Sequence, residues 1–236
     1  MRVCLIHGST QSPHGWDLLV HELMAWGADV TAVDLPREHQ GARFFAQEVA
    51  RQMPAGESPV VVAHSAAGLI LPLVAEYMEV TRLVYLAAVI PKPESSFVGQ
   101  FNESSEMFQP GWLGKDPTKD HQAARHFLFH DCDQRVQEWA LTTLRLWTSP
   151  PLLQEDCPLR SFQPIPTTYI SSTKDRTINP EWWERAAQRS LGLEPVRIDA
   201  GHAPHVSRPR EVARLIIGPL HPGGAVKRPP KVPAGH

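Results

Sequence analysis

The sequence predicts an α/β fold: a doubly wound, mainly parallel sheet with helices on both faces, interrupted by a helical cap insertion. Three observations predict it. Apolar runs such as "VVVA" and "LVYLAAV" do not alternate polar with apolar residues, which fits strands covered on both faces. Each run gives way to a turn and then to a helical pattern, the alternation that builds such sheets. One long segment, 91–166, lacks a convincing strand and is rich in aromatic residues.

In chain order, strands are expected at Arg2 to His7, Asp29 to Leu35, Pro59 to His64, Arg82 to Val89, Thr167 to Ser172 and Glu194 to Asp199. Helices are expected at Trp16 to Trp26, Ala42 to Met53, Ser65 to Tyr77, Pro180 to Ser190 and Arg208 to Ile217. The last carries Ser207 as a candidate N-cap and Pro209 in its first turn, both suited to a helix start.

The segment 91–166 holds Phe97, Phe108, Trp112, Phe127, Trp139 and Trp147, with helical patterns near Lys119 to Phe129 and Gln134 to Trp147. An insertion this long and this aromatic must bury its apolar face, and the carboxyl edge of the sheet is the nearest surface. It is read as a cap over a site, the alternative being a second layer with no pocket beneath. The organisation expected is therefore a core of 1–90 and 167–218, a cap of 91–166, and a Pro/Gly-rich tail of 219–236 that is disordered or draped on the surface.

Composition narrows the function. With 236 residues, 42% of them hydrophobic, the chain can bury a sizeable core. A formal charge of −2 gives no electrostatic footprint for nucleic acid or an anionic membrane, so small molecules are the expected partners. The opening "MRVCLIHG" is interrupted too soon for a secretory segment, and no apolar run reaches membrane-spanning length. A cytoplasmic protein is expected. Cys4, Cys132 and Cys157 show neither a disulfide framework nor a CxxC spacing.

The chemistry is read at three predicted strand ends. In "VVVAHSAAG", Ser65 sits at a strand-to-helix turn, where a tight bend demands small residues two positions before and after it; Ala63 and Ala67 meet that demand. A serine hydroxyl needs a base, and the base needs a third group to fix its tautomer. Asp175, in "TKDRTI", and His202, in "AGHAPHVSRP", stand just beyond later strands in the order nucleophile, acid, base. His205 is the rival base, disfavoured because His202 directly follows the strand-end Ala-Gly turn. Asp199 and Asp34 are assigned to their own strands.

Oxyanion donors are expected from the backbone N–H of Ala66, after the nucleophile, and of Ser9, in the loop that Gly8 lets turn close to the site. His7 is read as a brace of that loop. His14 is given no role, although it could line the pocket. His126 and His130, at i and i+4 and followed by Asp131, Cys132 and Asp133, have a spacing that can ligate zinc. With no Glu in the HExxH position and no distant partner set, they are read as the polar end of a cap helix; no metal and no cofactor are expected.

These motifs resemble the α/β-hydrolase superfamily: "IHG" for the oxyanion loop, "AHSAAG" for the elbow, "TKDRTI" for the acid and "AGHAPHVSRP" for the base. The likeness spans about residues 1–218 and is closest to the compact branch of methylesterases and hydroxynitrile lyases, with the chain starting at what the family counts as its third strand. The elbow departs from G-x-S-x-G, with alanines for both glycines. The resemblance implies a triad of Ser65, Asp175 and His202. Lyases of that branch carry threonine after the first-loop histidine and lysine after the catalytic histidine, where this chain has Gly8 and Ala203.

The function expected is a serine hydrolase that cleaves a small-molecule carboxylic ester through an acyl-enzyme. The alternatives are thioester, lactone or carbon–carbon bond cleavage by the same triad, or a non-catalytic ligand-binding scaffold. The sequence leaves the acyl and alcohol groups and the oligomeric state open.

Overall fold

The computed structural model describes residues 1–147 and 149–218; the expected tail lies outside the described residues. Six strands form one parallel sheet: β1 (Arg2–Ile6), β2 (Asp29–Val33), β3 (Val60–His64), β4 (Arg82–Leu86), β5 (Thr167–Ser172) and β6 (Val196–Ile198), in the order β2-β1-β3-β4-β5-β6. Register pairs Val3 with Val60, Val60 with Arg82 and Leu83 with Thr167, which carries the carboxyl ends of β1, β3 and β5 to one edge. The chain leaves β1 for β2 on one side and builds β3 to β6 on the other. The switch point therefore falls between β1 and β3, where open α/β sheets bind ligands.

Alternate strand residues feed two cores, as a two-sided sheet requires. Cys4, Ile6, Val61 and Tyr85 pack with Phe45 and Val49 of α2 (Ala42–Gln52) and Trp183 of α7 (Pro180–Leu191). Val3, Leu5, Val62 and Val84 pack with Leu19 and Leu23 of α1 (Asp17–Ala25) and Val212 and Ile216 of α9 (Pro209–Ile217). Both helix pairs turn an apolar stripe inward, and that burial supplies the main drive for the fold.

Segment 91–166 contributes no strand to the sheet among the described residues. It carries α3 (Phe97–Glu103), the single turn α4 (His121–Ala123) running into a π-helical turn at Ala124–Leu128, α5 (Gln134–Thr142) and α6 (Pro150–Gln154). Its Ala124, Leu128, Phe129 and Ala140 bury against Ala203 and against Val206 of α8 (Pro204–Ser207).

Three sequence expectations are corrected. The helix expected from Ser65 to Tyr77 is a pair of 3₁₀ segments, Ser65–Leu69 and Leu71–Glu76, because Pro72 has no N–H to donate inside a helix. Ser207 does not cap the last helix: Pro204 opens α8, Ser207 closes it, and the residue before Pro209 is Arg208, whose φ of −135° and ψ of 46° lie outside the helical region that a following proline disfavours. The helical pattern expected to reach Trp147 stops at Thr142, beyond which the chain pairs with the loop after β1.

Candidate active site

Ser65 begins the turn after β3 with φ of +56°, a left-handed conformation costly for a residue with a Cβ. The bend is over-determined by its surroundings. The Val89 N–H donates to the Ser65 carbonyl at 3.1 Å. A Cβ on Gly68 would lie 2.0 Å from the Val89 carbonyl oxygen, so only glycine fits beneath the turn. Ala87, with φ of +43°, ends β4 short of the expected Val89 and swings the chain under the bend.

The structure brings Ser65, His202 and Asp175 together. His202 Nε2 lies 3.0 Å from Ser65 Oγ, and His202 Nδ1 lies 2.7 Å from Asp175 Oδ2. An ionised carboxylate only accepts, so Nδ1 carries the proton and Nε2 is the free acceptor facing the hydroxyl. The other Asp175 oxygen accepts from the Thr177 N–H at 2.7 Å, the Thr177 hydroxyl at 2.9 Å and the Ile178 N–H at 3.1 Å. Thr177 is the residue the sequence reading missed here. Its signal was a hydroxyl two residues beyond an aspartate, a spacing that favours local side-chain-to-backbone turns.

Gly8 brings the loop after β1 against this pair: a Cβ there would lie 2.9 Å from Ser65 Cβ and 3.0 Å from His64 Nδ1. His7 braces the loop as expected, its Nδ1–H donating to the Gly8 carbonyl at 2.9 Å while Nε2 accepts from the Leu35 N–H at 3.2 Å. The cap braces the same loop from outside. Ser12 N–H donates to Thr143 O at 3.2 Å, Arg145 N–H to Thr10 O at 3.2 Å and Trp147 N–H to Ser9 O at 2.6 Å.

Ser9, Ser65 and Ala66 share a cavity of about 180 Å³, walled by Phe97, Phe108, Trp112, Trp147 and Ile178 among others. Among the described residues that line it there is no Asp, Glu, Lys, Arg or His, and the Ser149 hydroxyl on its wall donates to the Gln40 carbonyl. Volume does not select this site. A cavity of about 220 Å³ between Pro72, Tyr85, Phe162 and Leu191 holds none of Ser65, Asp175 and His202.

The remaining candidates fall elsewhere. His14 is 81% exposed and pairs with Asp17, away from the cavity. Asp34 pairs with Arg145, and Asp199 with Lys174. His126 and His130 sit on and just beyond the π-helical turn, which removes the i,i+4 stacking of a regular helix. His126 lies 3.4 Å from Arg176, while His130 bonds Lys174 O and Asp133 caps α5. Among the described residues no group of three or more His, Cys, Asp or Glu side chains could hold a metal ion. No helix among them is long and apolar enough to cross a membrane.

His64 and His205 form a buried layer beneath the site. His64 Nε2–H donates to the His202 carbonyl at 2.8 Å, and His205 Nε2 lies 3.1 Å from Gln11 Oε1, with its ring 4.2 Å from that of Trp16. Burial first, then the neighbouring His205 and His202, hold the His64 pKa well below the ordinary value; burial, with His202 adding, pushes His205 down to about 3. Both rings are neutral when folded and would protonate near pH 6.5 when unfolded. Below that pH the unfolded chain binds more protons, so stability falls by about 1.4 kcal/mol per pH unit for each ring until the folded value is reached. The unfolding midpoint is expected to drop by on the order of 5–10 °C between pH 6.5 and 5, measured by thermal denaturation. A flat midpoint over that range would mean that the layer is hydrated.

A family model described as the alpha/beta hydrolase family matches residues 5–215. A curated relative, alpha/beta hydrolase nvfD of Aspergillus novofumigatus (strain IBT 16806), is 23% identical over 241 residues, covering 91% of this chain and 94% of that one. Among solved structures, polyneuridine aldehyde esterase superposes with a TM-score of 0.72 at 22% identity, covering 91% of this chain and 97% of the other. The methylesterase MES16 of Arabidopsis gives 0.69 at 17%, covering 90% and 95%.

Proposed function

Because the chain belongs to the alpha/beta hydrolase family, we propose that it is a serine hydrolase of small, neutral carboxylic esters, working through an acyl-enzyme. The observation that carries this reading is the continuous line from Ser65 to His202 to Asp175, at 3.0 and 2.7 Å, opening onto an apolar cavity. The two esterases to which the fold is similar support it by analogy.

In the proposed mechanism His202 Nε2 takes the Ser65 proton as Oγ attacks the acyl carbonyl, then returns it to the leaving alkoxide. Asp175 keeps the imidazole in the working tautomer and stabilises it once protonated. The backbone N–H groups of Ser9 and Ala66, two residues that line the cavity, receive the oxyanion. Ala66 lies in the first turn of a 3₁₀ segment, where N–H groups have no partner within the helix. Each such donor contributes about 10²- to 10³-fold to turnover. Water on the same base releases the acyl group.

Hydrolysis is favoured over charge-assisted lysis by Ala203. It is 1% exposed and packed among Ala124, Leu128 and Phe129, so the position after His202 carries no cation for a departing anion.

The cavity narrows the substrate. A void of 150 Å³ binds benzene, so about 180 Å³ takes one ring-sized apolar group with a short arm. A charged acyl or alcohol group would lose its hydration there without a partner. Purified protein is expected to hydrolyse a neutral aryl ester with kcat/KM at least about 100-fold above that for a hemisuccinate or a choline ester. Equal turnover of all three would refute the substrate reading, and turnover of none the esterase reading.

A further inference from the structure

We propose that Asp131, on the cap, is a positioning residue for the proton transfer between Ser65 and His202; the inference rests on the reading just given. Asp131 follows the π-helical turn, and its side chain is 6% exposed. One of its oxygens accepts from the Gly201 N–H at 2.8 Å, one residue before His202. The neighbouring His130 Nε2–H donates to the Lys174 carbonyl at 2.9 Å, one residue before Asp175. Two consecutive cap residues thus grip the two loops that present the acid and the base, and the Lys174 N–H closes the ring by donating to Ala200 O at 2.9 Å.

The fit leaves no slack. A Cβ on Gly201 would lie 2.6 Å from Asp131 Oδ1 and 2.9 Å from His130 Nε2, so the glycine exists to admit the cap. Asp131 Oδ1 is buried with no hydrogen-bond partner among the described residues. Among the described residues, the cation paired with it is Arg208, whose Nη1 stands 4.0 Å from Oδ2. What Asp131 supplies is an acceptor, held in place by its own burial, that fixes the Gly201 amide at 2.8 Å. The imidazole on the next residue must hold 3.0 Å to Ser65 and 2.7 Å to Asp175 at once. A displacement of about 1 Å in such an arrangement costs on the order of 10²-fold in rate.

The test uses Asp131→Leu, which fills the site without an acceptor, and Asp131→Asn, which keeps one. Asp131→Ala stands in should the leucine variant not fold. The leucine variant is expected to lose about 10- to 100-fold in kcat with KM within about twofold of wild type. The asparagine variant should recover to within about fivefold of wild type. A readout independent of substrate is the downfield proton resonance of the His202 Nδ1–H bonded to Asp175, expected to shift or broaden with leucine and to be restored with asparagine. An unchanged resonance and unchanged kcat in the leucine variant would overturn the proposal and leave Asp131 a cap anchor only. A changed resonance in a protein whose wild type cleaves no ester would uphold the positioning and remove the esterase reading.

Discussion

Ser65→Ala is expected to lower kcat for a neutral aryl ester by about 10⁶-fold while leaving KM within about threefold. The size of the loss follows from how the groups are coupled. His202 Nε2 points at Ser65 Oγ, 3.0 Å away, and without the hydroxyl the imidazole has no proton to take. Binding is little affected, because the described wall of the cavity is mostly apolar and Ser65 is one residue among many that line it. The variant should fold, since alanine at φ of +56° meets the same left-handed cost as serine and the Val89 N–H bond uses the Ser65 backbone. No second nucleophile stands in reserve among the cysteines. Burial raises the pKa of all three, taking Cys132 up to about 12, so none supplies a thiolate at neutral pH. A fluorophosphonate probe should accordingly label the wild type once, at Ser65, and leave the variant unlabelled. Persistent turnover or labelling in Ser65→Ala would move the chemistry to another residue.

How much of this was readable beforehand depended on whether the cause lay near in sequence. β3 is buried at every position, and a run of Val with no polar alternation announces that directly. The meeting of Ser65, Asp175 and His202 was legible for a related reason. Parallel strands all end at one edge, so side chains just past the ends of nearby strands can meet there. The residues that hold them were not legible. His64 reads as half of a polar pair, and only the fold shows it bonded to the carbonyl of a residue 138 positions away. His130 and Asp131 read as a helix end because nothing local connects them to Lys174 and Gly201.

The cap was the least readable part. Its aromatic content shows that it buries something, while Trp147 illustrates why composition cannot say what. That ring packs on Phe45, its indole N–H reaches the Pro36 carbonyl at 3.1 Å, and its backbone N–H ties down Ser9. One residue thus walls the cavity and fixes the loop expected to hold the oxyanion. The consequence is mechanistic: residues 143–147 link cap position to the loop after β1, as His130 and Asp131 link it to the loops after β5 and β6. A cap that shifts would loosen the loops after β1, β5 and β6 together.

Asp175→Asn is expected to cost about 10⁴-fold in kcat with the fold intact, a larger effect than its near-isosteric shape suggests. The Thr177 and Ile178 N–H groups, at 2.7 and 3.1 Å, need an acceptor where Oδ1 stands. An asparagine side chain therefore turns its carbonyl oxygen toward them and its NH₂ toward His202. That NH₂ is a donor facing the Nδ1–H, a contact the imidazole relieves by shifting its proton to Nε2. The protonated Nε2 then faces Ser65 and can no longer accept from the hydroxyl. Thermal denaturation should find the variant close to wild type, because the turn after β5 keeps its acceptor, while steady-state kinetics find the loss in kcat. A variant within tenfold of wild-type kcat would mean that the tautomer is fixed by some other group, such as the His64 layer beneath, and would take Asp175 out of the mechanism.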